Sequence, residues 1–85
     1  MTVRDAIEKS GLLYGDVEYR TKITIDGEEK EVWGGTCYYN GEKLIPYDSD
    51  YFSLDDEIYG YEMFFDIRGR KVLTVWYRSM WVSGQ

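Results

Sequence analysis

Three glycine turns divide most of the chain into short segments in which apolar and polar residues alternate. The turns are Asp26-Gly27, Asn40-Gly41 and Arg68-Gly69-Arg70. Asp or Asn followed by Gly is typical of tight hairpin turns, because the central residues need a positive φ that Gly adopts without strain. Alternation with period two places one set of side chains in a core and the other in solvent. The sequence therefore predicts β-hairpins over most of its length.

The alternating segments predict six strands. Their approximate bounds are residues 17–25, 29–33, 36–39, 42–45, 57–66 and 71–82. Gly34-Gly35 separates the second segment from the third, as glycines do at a bulge or a sharp bend. Pro46 ends the fourth segment, because proline lacks the N–H that a ladder requires.

The third turn predicts a register for the last hairpin. With Gly69 left-handed, Asp66 would pair with Arg70 across the mouth of the hairpin. The cross-strand pairs that follow are Met63–Leu73, Tyr61–Val75 and Tyr59–Tyr77. The face formed by Tyr59, Tyr61, Met63 and Phe65 is therefore predicted to be core. Trp76 falls on the opposite face, where we expect the N-terminal helix to cover it.

That helix is predicted over about residues 2–10. Thr2 can cap it, and Asp5 three residues later can complete a capping box. Gly11 suits the left-handed position at its end. We therefore predict a single domain over residues 1–85 with an α+β fold: a short N-terminal helix followed by three antiparallel β-hairpins, which form a strongly bent sheet or a small, partly open barrel.

The composition argues against catalysis. The chain has no histidine, so it lacks the usual proton shuttle and every Ser-His or Cys-His pair. Its one cysteine, Cys37, lies beside Tyr38 and Tyr39 and is predicted to be a buried, inert thiol. An enzyme that uses carboxylates alone is the weakest of the hypotheses, because 85 residues leave little room for a walled cleft. We predict a protein that is not an enzyme and needs no cofactor.

The sequence also argues against metal, membrane and nucleic acid as ligands. Counted as a calcium loop from Asp48, the chain has Phe52 and Tyr59 where oxygen ligands belong, so no metal site is predicted. No apolar stretch approaches the roughly 20 residues of a membrane span, and the N-terminus lacks the apolar core of a signal peptide. An isoelectric point near 4.5 opposes direct binding to nucleic acid. With a single cysteine, these features favour the cytoplasm.

Acidic charge is concentrated in one block of the chain. Residues 44–67 contain seven acidic residues, seven aromatic residues and no Lys or Arg, while the whole chain carries a net charge of −6. Carboxylates without a local counter-ion repel one another, so such a block makes sense when a basic partner neutralises it. Neighbouring tyrosines would add rigid contact area. The residues predicted to bind this partner are Tyr47, Asp48, Asp50, Tyr51, Asp55, Asp56 and Glu57.

A second hypothesis places a small nucleotide on the basic end of the chain. Charge and ring stacking could hold it, and the candidate residues are Arg68, Arg70, Lys71, Trp76 and Arg78. The structural alternative is that these cations neutralise the acidic strand beside them. A long last strand at a sheet edge would also invite pairing into a homodimer.

The acidic residues give the chain a resemblance to a functional class. They are Asp48, Asp50, Asp55, Asp56, Glu57, Glu62 and Asp66. In size, acidity and compactness the chain resembles the small proteins that phages and prophages use against host defences, which include anti-CRISPR proteins and nucleic-acid mimics. The resemblance implies a non-enzymatic inhibitor, active in the host cytoplasm, that binds the basic surface of a nuclease or another nucleic-acid-binding protein.

Overall fold

One helix and five strands form the described part of the chain. The structure, a computed structural model, describes residues 1–47 and 52–77. The elements are α1 Val3–Ser10, β1 Gly15–Ile25, β2 Glu28–Tyr39, β3 Leu44–Pro46, β4 Gly60–Phe65 and β5 Lys71–Tyr77. They make an α+β fold whose sheet has the strand order β3-β2-β1-β5-β4.

Helix α1 begins and ends as its sequence predicts. The Asp5 backbone N–H donates to Thr2 Oγ1 (3.2 Å), and the Thr2 N–H donates to Asp5 Oδ2 (3.0 Å), so the capping box is confirmed. The bond from the Thr2 backbone N–H to the carboxylate is the main cause that holds the pKa of Asp5 below its usual value. Gly11, at φ 78°, ends the helix. The buried residues of the helix share one face; they are Val3, Ala6 and Ile7.

The sheet is mixed and is not closed into a barrel, whereas the sequence predicted three antiparallel hairpins in a strongly bent sheet or a small, partly open barrel. β1 pairs antiparallel with β2 but parallel with β5, in a register that places Val17 beside Leu73 and Tyr19 beside Val75. Local turn signals cannot reveal this pairing, because β1 and β5 are distant in sequence. The sheet does not close, and its edges are β3 and β4.

A bulge joins two predicted strands into one. Residues 29–33 and 36–39 both belong to β2, and the interruption predicted at the glycine pair is a register shift. Tyr19 lies opposite Gly35, whereas the next residue, Arg20, lies opposite Trp33, so Gly34 is the extra residue. A Cβ atom at Gly34 would lie 2.1 Å from Cε2 of the Tyr19 ring. Glycine at this position is what allows the ring to lie against the backbone.

The Tyr19 ring is part of an aromatic cluster that attaches a loop to the sheet. Its centroid lies 4.8 Å from that of Phe52 and 4.9 Å from that of Tyr77. The Tyr77 hydroxyl donates to Asp56 Oδ2 (2.8 Å). Burial is the main cause that raises the pKa of Tyr77, and this bond adds to it. Phe52 and Asp56 belong to the loop at residues 52–58. The cluster thus connects β1, β5 and this loop.

The same loop holds the start of α1. The Val3 N–H donates to Asp56 O (3.0 Å), and the Arg4 N–H donates to Leu54 O (2.9 Å). In return the Ile58 N–H donates to Met1 O (2.8 Å). Helix, loop and one sheet face therefore enclose a single core. Its buried hydrophobic residues are Val3, Ala6, Ile7, Leu12, Val17, Cys37, Leu44, Phe52, Ile58, Leu73 and Val75.

The predicted register of the last hairpin is confirmed within its strands. Met63 pairs with Leu73 and Tyr61 with Val75. At the turn, the Arg70 guanidinium Nε lies 3.1 Å from Asp66 Oδ2. Backbone N–H groups of Arg70 and Arg68 also donate to Asp66, and they lower its pKa.

The prediction of the core in this hairpin is wrong at both ends. Tyr59 precedes β4 and is exposed, and Phe65 is 67% exposed, because the helix and loop cover only the middle of the strand. Tyr61 and Met63 are half-buried against the core. Residues 57–59, predicted to be strand, lie outside β4.

The last described strand is not an edge. β5 lies between β1 and β4, so the edge predicted to pair a second copy does not exist over Lys71–Tyr77. Residues 78–82, also predicted to belong to that strand, lie outside the described residues. No helix in the described part of the chain has the length and apolar character needed to cross a membrane.

We predict that Gly34→Ala lowers the free energy of unfolding by about 1–3 kcal/mol, the usual cost of overpacking. The added methyl group must displace the Tyr19 ring, which Phe52 and Tyr77 hold in place. Urea unfolding measures the change. Gly60→Ala is the matched control, because its Cβ would make only an ordinary contact at 3.9 Å with Trp76. Equal stability of the two variants would contradict the predicted contact.

We also predict that Tyr77→Phe lowers the free energy of unfolding by about 1–2 kcal/mol, because it removes a hydrogen bond to a carboxylate. The ring contacts remain, so the loss reports the hydroxyl bond to Asp56 alone. A double-mutant cycle with Asp56→Ala checks the assignment. Additive effects of the two substitutions would show that the bond contributes nothing.

Candidate functional site

The sheet face opposite the core carries the most distinctive surface of the described chain. Cross-strand register places five carboxylates and two cations of the central and flanking strands on this face. They are Asp16, Glu18, Glu29, Glu31 and Glu62, with Arg20 and Lys22. Large apolar side chains lie between them: Trp33, Ile45, Phe64 and Trp76. We call these residues together the open face.

A hydrogen-bonded network holds the centre of the open face. Arg20 bridges two carboxylates: its Nε donates to Glu18 Oε1 (3.2 Å) and its Nη1 to Glu31 Oε1 (3.0 Å). The Trp76 indole Nε1–H donates to Glu31 Oε2 (2.8 Å), and the Thr74 hydroxyl donates to Glu18 Oε1 (2.9 Å). The indole bond is the main cause that lowers the pKa of Glu31, and Arg20 adds to it. The network therefore fixes the position of the Trp76 ring.

Trp76 does not lie under the helix as predicted. The helix packs on the core face, whereas Trp76 lies on the opposite face beside a cavity of about 400 Å³. Phe64 and Phe65 line the same cavity. Successive side chains of a strand point to opposite faces of the sheet. Because Leu73 and Val75 pack into the core, Trp76, which follows Val75, points to the opposite face.

The residues predicted to bind a nucleotide are brought together only in part. Arg70 and Lys71 line a second cavity, of about 490 Å³, and Trp76 lines the first. Arg68 is exposed and lines neither of these two cavities. Arg78 lies outside the described residues. Arg70 also pairs with Asp66, as the structural alternative expected.

The acidic loop predicted to bind a partner is only partly described. Asp48, Asp50 and Tyr51 lie outside the described residues. Tyr47 is exposed, and its hydroxyl donates to Asp16 at the start of β1. Tyr47 therefore lies near the segment that follows α1, whereas the loop containing Asp55 is bonded to the start of that helix.

The described carboxylates of this loop have partners, and for Asp55 and Glu57 these are cations, which corrects the premise that those two lack counter-ions. Asp55 Oδ1 lies 2.8 Å from the Arg4 guanidinium, and Glu57 Oε2 lies 3.7 Å from the N-terminal ammonium of Met1. Asp56 accepts from the Ser53 N–H (2.9 Å) as well as from the Tyr77 hydroxyl. Asp56 is therefore a structural residue, while Asp55 and Glu57 remain exposed at the helix start.

Sequence reasoning missed Glu18, Arg20 and Glu31 as site residues. The alternation of β1 predicts that Glu18 and Arg20 point to the polar side, but it does not predict their partners. Glu31 meets Arg20 only because the bulge at Gly34 shifts the register of β2. Across residues 1–47 and 52–77, no group of three His, Cys, Asp or Glu side chains could hold a metal ion. Cys37 is buried, as predicted.

No protein-family model, curated protein or solved structure matches this chain. The site is therefore interpreted from its own residues and their contacts.

We predict that the Trp76 indole N–H signal in ¹H–¹⁵N spectra shifts on acidification with a midpoint below 4.5, the ordinary pKa of Glu31. The pKa of Glu31 is lower in the folded chain than in the unfolded chain. The bond's contribution to stability is therefore complete above pH 4.5. It is lost as the pH falls through the lowered value. Glu31→Gln should abolish this titration. Glu29→Gln, on an exposed neighbour, is the control and should preserve it. A midpoint at or above 4.5 would contradict the bond.

Proposed function

We propose that this protein is a non-catalytic binding protein that engages the basic surface of a nucleic-acid-binding protein through its open face. The observation that carries the proposal is the combination of exposed aromatic rings with an excess of carboxylates, on a sheet face that neither α1 nor the loop at residues 52–58 covers. Each component alone has ordinary explanations. Together they match the anchors and the polar surround of a protein interface.

The apolar part of the face supports protein binding. Trp33, Phe64 and Ile45 are 50%, 43% and 41% exposed, although nothing in folding requires large apolar side chains to stay in water. Exposed aromatic side chains among polar residues are typical of protein interfaces. Trp76, held by Glu31, adds a ring whose position is fixed before any partner arrives. Preorganised aromatic residues are common binding hot spots, because little entropy is lost when they dock.

The charged part of the face supports a basic partner. Its ionic side chains carry a net charge of −3, and the chain as a whole carries −6. This field opposes nucleic acid and attracts a surface of Lys and Arg. A groove that holds phosphates is such a surface, and a set of carboxylates can compete for it. Asp55 and Glu57, at the start of the helix, would strengthen the long-range attraction without contacting the same partner surface.

An inhibitory role follows from this competition. A small acidic protein that occupies the nucleic-acid groove of a nuclease blocks it without chemistry. The resemblance to phage and prophage anti-defence proteins supports a bacterial defence nuclease as the target, and the host cytoplasm as the place of action.

The test is affinity capture from bacterial lysate, with the captured proteins identified by mass spectrometry. We expect nucleic-acid-binding proteins that are released by high salt and displaced by added duplex DNA or structured RNA. Trp33→Ala combined with Phe64→Ala should weaken capture about tenfold or more, the usual effect of losing an aromatic hot spot.

Charge-reversal variants locate the surface. Glu62→Lys lies on the open face, whereas Glu8→Lys makes the same charge change on the exposed side of the helix, across the sheet. We expect Glu62→Lys to reduce capture and Glu8→Lys to leave most of it. Equal loss in both would mean that net charge alone drives capture. Loss confined to Asp55→Lys would assign the contact to the acidic loop and overturn the proposed surface.

A further inference from the structure

The second cavity, of about 490 Å³, lies at the end of the sheet where β1 and β5 begin. The segment Gly11–Gly15, which connects α1 to β1, forms one wall, and Tyr38 near the end of β2 forms another. Its volume falls within the roughly 300–1,000 Å³ of typical small-molecule sites. Among the described residues of the acidic loop and of the open face, those that line this cavity are Tyr47 and Asp16.

Two cations provide an anion-binding edge. Arg70 is oriented by its bond from Nε to Asp66, which uses one of the five N–H donors of the guanidinium. Lys71 follows it at the start of β5 and is exposed. Among residues 1–47 and 52–77, the ion pairs do not include Lys71. The orientation of Arg70 and the exposed ammonium of Lys71 suit a phosphate, which accepts charge-assisted hydrogen bonds from both.

Three phenol rings provide the apolar walls. Tyr14 is 67% exposed, although it belongs to a short connection that could hold a polar residue equally well. Tyr38 is half-buried, and Tyr47 is positioned by its hydrogen bond to Asp16. That bond, first among the causes, raises the pKa of Tyr47 to about 12. Rings of this kind stack on planar bases.

Asp16 restricts the ligand further. Its carboxylate lies in the same cavity as the two cations, so the lining residues carry a net charge of only +1. A highly charged anion gains little there, whereas a ligand with one phosphate and a separate hydrogen-bond donor satisfies both signs. The amino group of a nucleobase is such a donor, since Asp and Glu accept hydrogen bonds from it.

We propose that this cavity binds a nucleoside monophosphate, with the phosphate on Arg70 and Lys71, the base against the tyrosine rings and its amino group on Asp16. The site differs from the predicted nucleotide set, because Trp76 lies in the other cavity and has no part in it. Of the residues that define the open face, this cavity includes Asp16 alone, and the open-face proposal concerns a macromolecular partner instead of a small ligand.

Isothermal titration calorimetry on the full chain tests the proposal. The probes are AMP, GMP, CMP and UMP, together with their nucleosides, their triphosphates and inorganic phosphate. We expect at least one monophosphate with an amino-bearing base to bind more tightly than its nucleoside, its triphosphate or inorganic phosphate. An absence of heat with every monophosphate at millimolar concentration overturns the proposal, as does equal binding by inorganic phosphate.

Matched variants test the placement. Lys71→Ala should weaken binding about tenfold, the loss expected for one charge-assisted hydrogen bond. Arg68→Ala removes the same charge from the same hairpin but not from the cavity, and it should leave the affinity unchanged. Tyr14→Ala should weaken binding about fivefold or more through lost stacking, and Tyr14→Phe should not.

Two outcomes separate this site from the open-face function. An equal loss of nucleotide affinity in Lys71→Ala and Arg68→Ala would show that net charge alone causes the effect. It would overturn the placement of the ligand in the cavity. Capture of a basic partner by Lys71→Ala protein at wild-type level, with nucleotide binding lost, would confirm that the two sites act separately. Circular dichroism of each variant confirms that it is folded.

Discussion

The contact between the Tyr19 ring and the bare backbone of Gly34 is the constraint on which the described fold depends. Because Gly34 has no side chain, the ring can lie flat over the bulge of β2 and meet Phe52 and Tyr77. Through Tyr77 and Asp56, the same cluster positions the loop whose backbone caps the start of the helix. An 85-residue chain has a small core, so one shared cluster that joins sheet, loop and helix carries much of its organisation.

The bulge also determines what lies on the other side of the sheet. By shifting β2 one residue relative to β1, it places Glu31 within reach of Arg20 and Trp76. The single helix and its loop cover one face, so the opposite face keeps aromatic rings and carboxylates in contact with solvent. Core packing and surface chemistry in this protein are therefore two consequences of one backbone irregularity.

Local signals predicted the local structure well. The capping box at Thr2, the interruption at the glycine pair and the Met63–Leu73 register each depend on residues close in sequence, and each is confirmed. The parallel pairing of β1 with β5 was not predicted, because it joins segments more than 50 residues apart and leaves no turn signature. The assumed lack of a counter-ion was wrong at Asp55 for the same reason: Arg4 and Asp55 meet only in the folded chain.

The sequence by itself determined the class of fold, the absence of histidine and the acidic net charge. Residue types and turn residues carry that information directly, since alternation, capping and charge are local properties. Only the tertiary structure decided which carboxylates are neutralised, which rings stay exposed and which cations share a cavity with tyrosines. These depend on strand order and on the side of the sheet that the helix covers. Both result from packing the whole chain at once, because burial of one face leaves the other face to solvent.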